Sequence, residues 1–442
     1  LSRRQSIRGG LVVTPKGVRR ADVVVDGERI ASVGRRAGEG GTSIDAEGCY
    51  VLPGGIDPHT HLLTGISPAT KAAAFGGTTT ALCFTSPKAG ESAADAVIRA
   101  RAEVKGSSMI DVALHAVIRD PDRVTVQDMG DLKRLRVPAV KLFLAYPEQG
   151  LMASDGCLYR VLRESVRLGF TVRVHCENGS VVDALVGEYL ARGHRGPRYF
   201  VRSRPPEVEE EAIARTLAIA RMAAAPVYIT HMSTAVGIEL VRAARARGHT
   251  VHTEVCLHHL LLDERLYQGK RAAQFLVVPP LRRRKDSEAL WSAIADGTVD
   301  TVGSDHAQSR YQPEPANTGD FRSLPYGLSG IELRLPLFLT EGLRRRIPIT
   351  RLVELLATRP AQIFGLAPRK GAIMPGADAD LVVWDPRPRS TVRASALHDG
   401  LGETPYEGRD VRGAVRFVVS RGRMLVSNGA LVGPESAGRS LR

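Results

Sequence analysis

The chain has 442 residues, 43% of them hydrophobic and 24% charged, an ordinary balance for a globular protein of one large domain with a satellite, or of two domains. No apolar run reaches the roughly 20 residues that a membrane-crossing helix needs, and the start "LSRRQSIRGGLVV" carries no long apolar segment ahead of a cleavage site, so the expected compartment is the cytoplasm. The formal charge of +14 comes mostly from arginines spread among Asp and Glu, without zinc-finger spacing or an aromatic RNA-binding motif, so neither nucleic acid nor membrane is an expected partner.

Residues 1–50 alternate apolar and polar positions between Gly-rich joints ("LVVT", "ADVVVDGERIASVG", "TSIDAEG"), which predicts a small antiparallel β unit. Eight β-branched runs follow, alternating with helical stretches rich in Ala, Leu, Arg and Glu: 49–56, 78–84, 111–118, 139–145, 171–176, 226–232, 249–256 and 298–305. This is the pattern of an α/β chain folded as a (β/α)8 TIM-like barrel, whose active site lies at the C-terminal strand ends. A doubly wound open sheet is the alternative, but no Gly-rich phosphate loop follows the first run. Strand-like, turn-rich pieces return at 371–386 and 413–433. The expected organisation is a small β-sandwich domain built from 1–52 and 370–433, a (β/α)8 barrel over 53–369, and a frayed tail at 434–442. Cys49, Cys83, Cys157, Cys176 and Cys256 are scattered with no CxxC pair, and are expected to be reduced, mostly buried thiols.

Metal-binding side chains cluster at the predicted strand ends. The "GGIDPHTHL" segment follows the first run with His59 and His61, the fifth run ends at His175, the sixth at His231 and the eighth at Asp305. One histidine at a strand end is ordinarily a satisfied rim residue; five such groups on one barrel mouth would meet around a metal. Lys141 sits among apolar neighbours in "AVKLFLAY", where an ammonium is costly unless it snorkels to the rim. The functional reading is that its neutral amine takes up CO2 and the resulting carbamate bridges two divalent cations, zinc first, with manganese, iron or cobalt as alternatives.

The set "GGIDPHTHL", "AVKLFLAY", "VHCEN", "SRPPEVEEEA", "YITHMS", "VVPPLR" and "GSDHA", in that order, resembles the cyclic amidohydrolases of the amidohydrolase superfamily, above all dihydropyrimidinase and hydantoinase. The resemblance runs from about residue 10 to about 430. It implies a binuclear barrel with a carboxylated lysine, most often a homotetramer, with a homodimer as the alternative, that opens a dihydropyrimidine or hydantoin ring to an N-carbamoyl amino acid. His59, His61 and Asp305 then match the ligands of one metal, His175 and His231 those of the second, and Lys141 the bridge. Tyr146 matches the tyrosine that donates to the oxyanion, and Asp305 also shuttles a proton. His115, His252, His258 and His259 match no required ligand, His306 stands beside one, and Glu177 and Asn178 are expected to orient His175.

Three departures bear on the substrate. The segment after the HxH, "LLTGISPATKAAAF", is short; Tyr326 stands where the family has Asn in "PNG"; and Val278 stands where hydantoinases carry Ser. Tyr326 and Val278 are therefore the candidate substrate contacts besides Tyr146. Dihydroorotase, which resembles parts of this chain, has an Arg where Leu63 stands; allantoinase shares the same ligands. A non-catalytic dihydropyrimidinase-like scaffold is the reading from another class, and scaffolds of that kind lack metal ligands that are all present here.

Overall fold

Each of the eight runs forms a strand in the computed structural model, which describes residues 4–35, 41–307 and 320–441. In chain order these first to eighth strands are Gly55–His61, Thr78–Phe84, Asp111–Val117, Ala139–Phe143, Thr171–His175, Val227–Ile229, Val251–Cys256 and Thr301–Gly303. The first run divides, because Tyr50–Pro53 is a strand of its own. The break falls at Gly54, where a Cβ would come within 2.1 Å of Thr79 Oγ1, so only glycine permits the close approach. His59 and His61 consequently lie within the first strand rather than beyond it.

The chain divides into two compact units. One comprises the described residues up to Leu82, Glu103–Ala113 and Gly330–Leu441; the other comprises Cys83–Ala102 and Leu114–Ser329. In the first unit the two terminal segments share one sheet. Its strand order is Ala430–Leu431, Arg423–Ser427, Asp410–Ser420, Leu381–Thr391, Tyr50–Pro53, Arg4–Thr14, Gly17–Asp26 and Arg29–Gly34, with Thr42–Asp45 alongside Arg4–Thr14. The N-terminal piece is not wholly antiparallel, since Thr42–Asp45 and Tyr50–Pro53 both run parallel to Arg4–Thr14. Alternate residues such as Val23 and Val25, or Leu381 and Val383, turn to a common core with Ile7, Val12, Val51 and Val419, as a period of two requires. Each such side chain contributes about 1.5–3 kcal/mol on full burial.

A buried ion cluster ties distant pieces of this unit together. Lys370 Nζ donates to Asp111 Oδ2 at 2.8 Å and to Asp380 Oδ2 at 2.7 Å, and Arg421 Nε donates to Asp111 at 3.1 Å. The C-terminal residues, expected to fray, are held instead: Arg439 N donates to Asp111 Oδ1 at 2.9 Å and Leu441 N to Val112 O at 2.8 Å.

The second unit carries a parallel ladder from the third strand to the eighth. Val117 pairs with Lys141, Lys141 with Arg173, Arg173 with Tyr228, Val227 with Val251, and Glu254 with Thr301. Helices separate these strands. Asp155–Leu168 illustrates why: Ser154 accepts from Cys157 N as its N-cap, Gly169 at φ 71° ends it, and Leu158, Val161, Leu162 and Ser165 give it a buried stripe at helical spacing. No helix among the described residues is long and apolar enough to cross a membrane.

Candidate metal centre

In the first unit, Asp57 organises the histidine pair. Its Oδ1 accepts from His59 N at 3.2 Å, and Arg334 Nε lies 3.3 Å from its Oδ2 with both side chains fully buried. Thr60 Oγ1 donates to Leu82 O at 3.1 Å. The intervening threonine is thereby held while His59 and His61 leave the strand on one side, their ring centroids 5.6 Å apart.

The second unit gathers Lys141, His175 and His231. His175 Nδ1 lies 3.0 Å from His231 Nε2, Lys141 Nζ donates to Thr230 Oγ1 at 2.8 Å, and that same hydroxyl is 3.2 Å from His231 Nε2. All of these side chains are buried. Glu177 Oε2 lies 2.8 Å from His175 Nε2. Burial pushes the His175 imidazole below its ordinary pKa. Burial alone would raise the Glu177 carboxyl, but the hydrogen bond from His175 together with the nearby charge of His175, Arg204 and Arg282 holds the group below the usual range. A neutral imidazole donating from Nε2 to a carboxylate leaves the Nδ1 lone pair facing His231. Asn178 does something else: its Oδ1 accepts from Val181 N and caps the helix Gly179–Ala191.

Lys141 is fully enclosed, its Nζ 5.3 Å from the Phe84 ring centroid and 5.0 Å from that of Phe143. Burial, reinforced by Arg173 and opposed by Glu254 and Asp305, brings the amine down to about 7. The neutral amine, thereby populated near neutral pH, is the form that reacts with CO2. The Arg173 guanidinium is buried with Glu254 at 2.6 Å, Tyr228 OH donates to the same carboxylate oxygen at 2.8 Å, and Glu254 Oε1 accepts from His231 N at 3.1 Å. Arg173 and Glu254 therefore form a buried ion pair, and its carboxylate fixes the His231 backbone.

Tyr146, His231 and Asp305 have φ values of 67°, 35° and 49°. For residues with a Cβ this left-handed backbone costs about 1–3 kcal/mol each, a cost the surrounding packing sustains where the chain turns off a strand end. The Tyr146 ring centroid is 5.3 Å from that of His175. Burial, with Tyr326, Glu177 and Asp305 adding negative potential, raises its phenol well above the ordinary value, so it stays protonated and able to donate.

Three of the motif segments are joined by a clamp that the sequence did not reveal. Glu209 Oε1 accepts from Ser233 N at 2.7 Å, and its Oε2 pairs with Ser233 Oγ and with Arg282 Nη2 at 3.1 Å. Arg282 also reaches Ser233 Oγ at 2.9 Å and Arg204 O at 2.7 Å. "SRPPEVEEEA", "YITHMS" and "VVPPLR" thus meet behind His231. Of the other histidines, His115 and His306 are fully buried, His259 Nε2 contacts Pro279 O at 3.0 Å, and His252 lies 3.8 Å from Asp300. Val278 is buried, whereas Tyr326 is exposed, with Gln149 Nε2 3.5 Å from its hydroxyl and the Phe200 ring centroid 5.6 Å from its own.

The Amidohydrolase family model matches residues 50–425. Among curated proteins, the D-hydantoinase of Ralstonia pickettii is 37% identical over 448 residues, covering 99% of this chain and 98% of that protein. The D-hydantoinase of Rhizobium radiobacter is 37% identical over 445 residues, covering 98% and 97%. Among solved structures, the dihydropyrimidinase from Brevibacillus agri superposes with a TM-score of 0.95 at 35% identity, covering 99% of this chain and 98% of that one. The fold is accordingly α/β, a TIM-like barrel with a β-rich domain.

Proposed function

This chain belongs to the amidohydrolase family, with the hydantoinases and dihydropyrimidinases, hydrolases of cyclic amides, and from that premise we propose that it opens a dihydropyrimidine or hydantoin ring to an N-carbamoyl amino acid at a centre built on Lys141, His175, His231, Asp305, His59 and His61. The observation that carries this reading is the buried convergence of Lys141, His175 and His231, with the His175 Nδ1 lone pair turned inward by Glu177. Such a donor set fits divalent metal: neutral imidazoles, a carboxylate and an amine placed to become a carbamate.

His175 and His231 would hold one ion, His59, His61 and Asp305 the other, and carboxylated Lys141 both; zinc suits these donors, with manganese, iron or cobalt as substitutes. When bound, the ions supply a water acidified to near neutrality and a Lewis acid for the ring carbonyl. The protein contributes the rest. Asp305 takes a proton from the attacking water and delivers it to the departing ring nitrogen. Tyr146, kept protonated by burial, donates to the oxygen on which negative charge develops. Tyr326 and Val278 border the ring, and the enzyme works in the cytoplasm as a homotetramer or homodimer.

The direct test is mass spectrometry of metal-reconstituted protein incubated separately with dihydrouracil, hydantoin, allantoin and dihydroorotate. One added water on dihydrouracil or hydantoin is the expected result. Turnover of allantoin or dihydroorotate alone would keep the chemistry and replace the substrate, and inertness toward all four with metal bound would return the scaffold reading. Lys141→Ala is expected to lose bound metal, measured by plasma mass spectrometry, and to lower turnover by about three orders of magnitude or more; full metal content and activity would reject the bridging role.

A further inference from the structure

In the second unit a mixed donor set shares Asp305 with the proposed ligands and adds two side chains that they do not use. Strands seven and eight pair at the rung Cys256↔Gly303. Each chain then continues by two residues to a metal-binding side chain, His258 in the first turn of Leu257–Leu261 and Asp305 beyond the eighth strand. One ligand atom from each of Cys256, His258 and Asp305 lies within 4.8 Å of the others, and the three side chains are 0%, 1% and 9% exposed. A tetrahedral zinc with bonds of about 2.0–2.3 Å has ligand atoms roughly 3.3–3.8 Å apart, so side-chain rotations of about 1 Å close the set. Cys256 forms no disulfide.

We infer that Cys256, His258 and Asp305 form an additional site for a borderline or soft divalent cation such as zinc or cobalt, distinct from the set built on Lys141, His175 and His231. Thiolate with imidazole selects such ions over magnesium, calcium or manganese, whose preferred ligands are oxygens. On binding, the thiol passes its proton to solvent and the cation takes one Asp305 carboxylate oxygen, leaving one position for water. Where Asp305 also acts as proposed above, which is the part resting on that reading, an ion here withdraws the proton carrier. Metal in excess then inhibits.

The test uses the whole protein already carrying its tightly bound cobalt, titrated with further Co2+. The expected result is one more equivalent with near-ultraviolet thiolate-to-cobalt charge-transfer absorption. Cys256→Ser and His258→Gln, made separately because both side chains are buried, should each lose that absorption and weaken the added equivalent by about tenfold or more, while keeping the tightly bound cobalt. No thiolate band at any loading of the wild-type protein, or a band unchanged in His258→Gln, would overturn the site. Loss of the tightly bound cobalt in both variants would overturn its separateness. The band reads out whether or not any ring is hydrolysed, so failure of this site and failure of the proposed activity are told apart. Slowed turnover in excess Zn2+ that is relieved in Cys256→Ser supports the inhibitory role; inhibition that is unchanged in Cys256→Ser rejects it.

Discussion

Glu177 decides what His175 can do. Its carboxylate accepts from Nε2 at 2.8 Å and leaves Nδ1 3.0 Å from His231, so one buried hydrogen bond selects the nitrogen that faces the centre. Glu177→Ala removes that selection, and the expected outcome is about 10–100-fold weaker binding of one metal, measured by competition with a chromophoric chelator. Unchanged affinity would mean that packing alone orients the ring. At this scale the types of the proposed ligands were legible in the sequence, because His and Asp at the ends of apolar runs are local features. Glu177 was expected to orient His175, whereas Asp57 was not read at all. A carboxylate announces its role only through its partner, and for Asp57 that partner is Arg334, far along the chain.

Elements place those residues. Lys141 faces Arg173 because the fourth and fifth strands pair with these two residues on one rung, and the clamp of Glu209, Ser233 and Arg282 joins a helix, a strand exit and a loop. Elsewhere in the second unit, Arg99 holds Glu91 against the start of its helix by paired hydrogen bonds of 2.8 and 2.9 Å. The side-chain bond from Arg99, then that from Lys88 N, lowers the Glu91 carboxyl from 4.5 to about 2. A carboxyl depressed on folding adds stability that is complete above its unfolded value near 4.5 and is lost as pH falls toward about 2. Glu91→Gln is therefore expected to melt slightly lower than wild type at pH 7, with the gap closing across that acid window. Thermal unfolding followed by circular dichroism against pH checks this, and a gap constant with pH would place the effect elsewhere. Strand existence was readable from β-branched runs; register was not, since runs of similar apolarity carry no mark of which rung meets which.

For the molecule as a whole, the first unit shows how distant segments become one body. Lys370 donates to both Asp111 and Asp380, and Arg421 Nε donates to the same Asp111 oxygen. The Lys370 ammonium is raised above its ordinary pKa even though burial opposes it, because Asp380 and Asp111 together outweigh that cost. Lys370→Met leaves the buried Asp380 without its lysine and Asp111 with Arg421 as its cation, and is expected to cost about 3–5 kcal/mol, read from the midpoint of denaturant unfolding. A change under about 1 kcal/mol would show that the carboxylates relax into other partners or take up protons cheaply.

The amino-acid sequence by itself determined the alternation of strands and helices, the pairing of the chain's two ends in one β-rich domain, and the chemical types of the proposed metal ligands. Periodicity and donor chemistry are properties of a short stretch and need no partner to be read. Only the tertiary structure decided which nitrogen of His175 faces inward, how Arg173 and Glu254 are neutralised beneath Lys141, and that Cys256 meets His258 and Asp305. Cys256 read alone is an isolated buried thiol. The rung it shares with Gly303 brings it to a carboxylate about fifty residues away, and that juxtaposition arises from the hydrogen-bonded register between neighbouring strands.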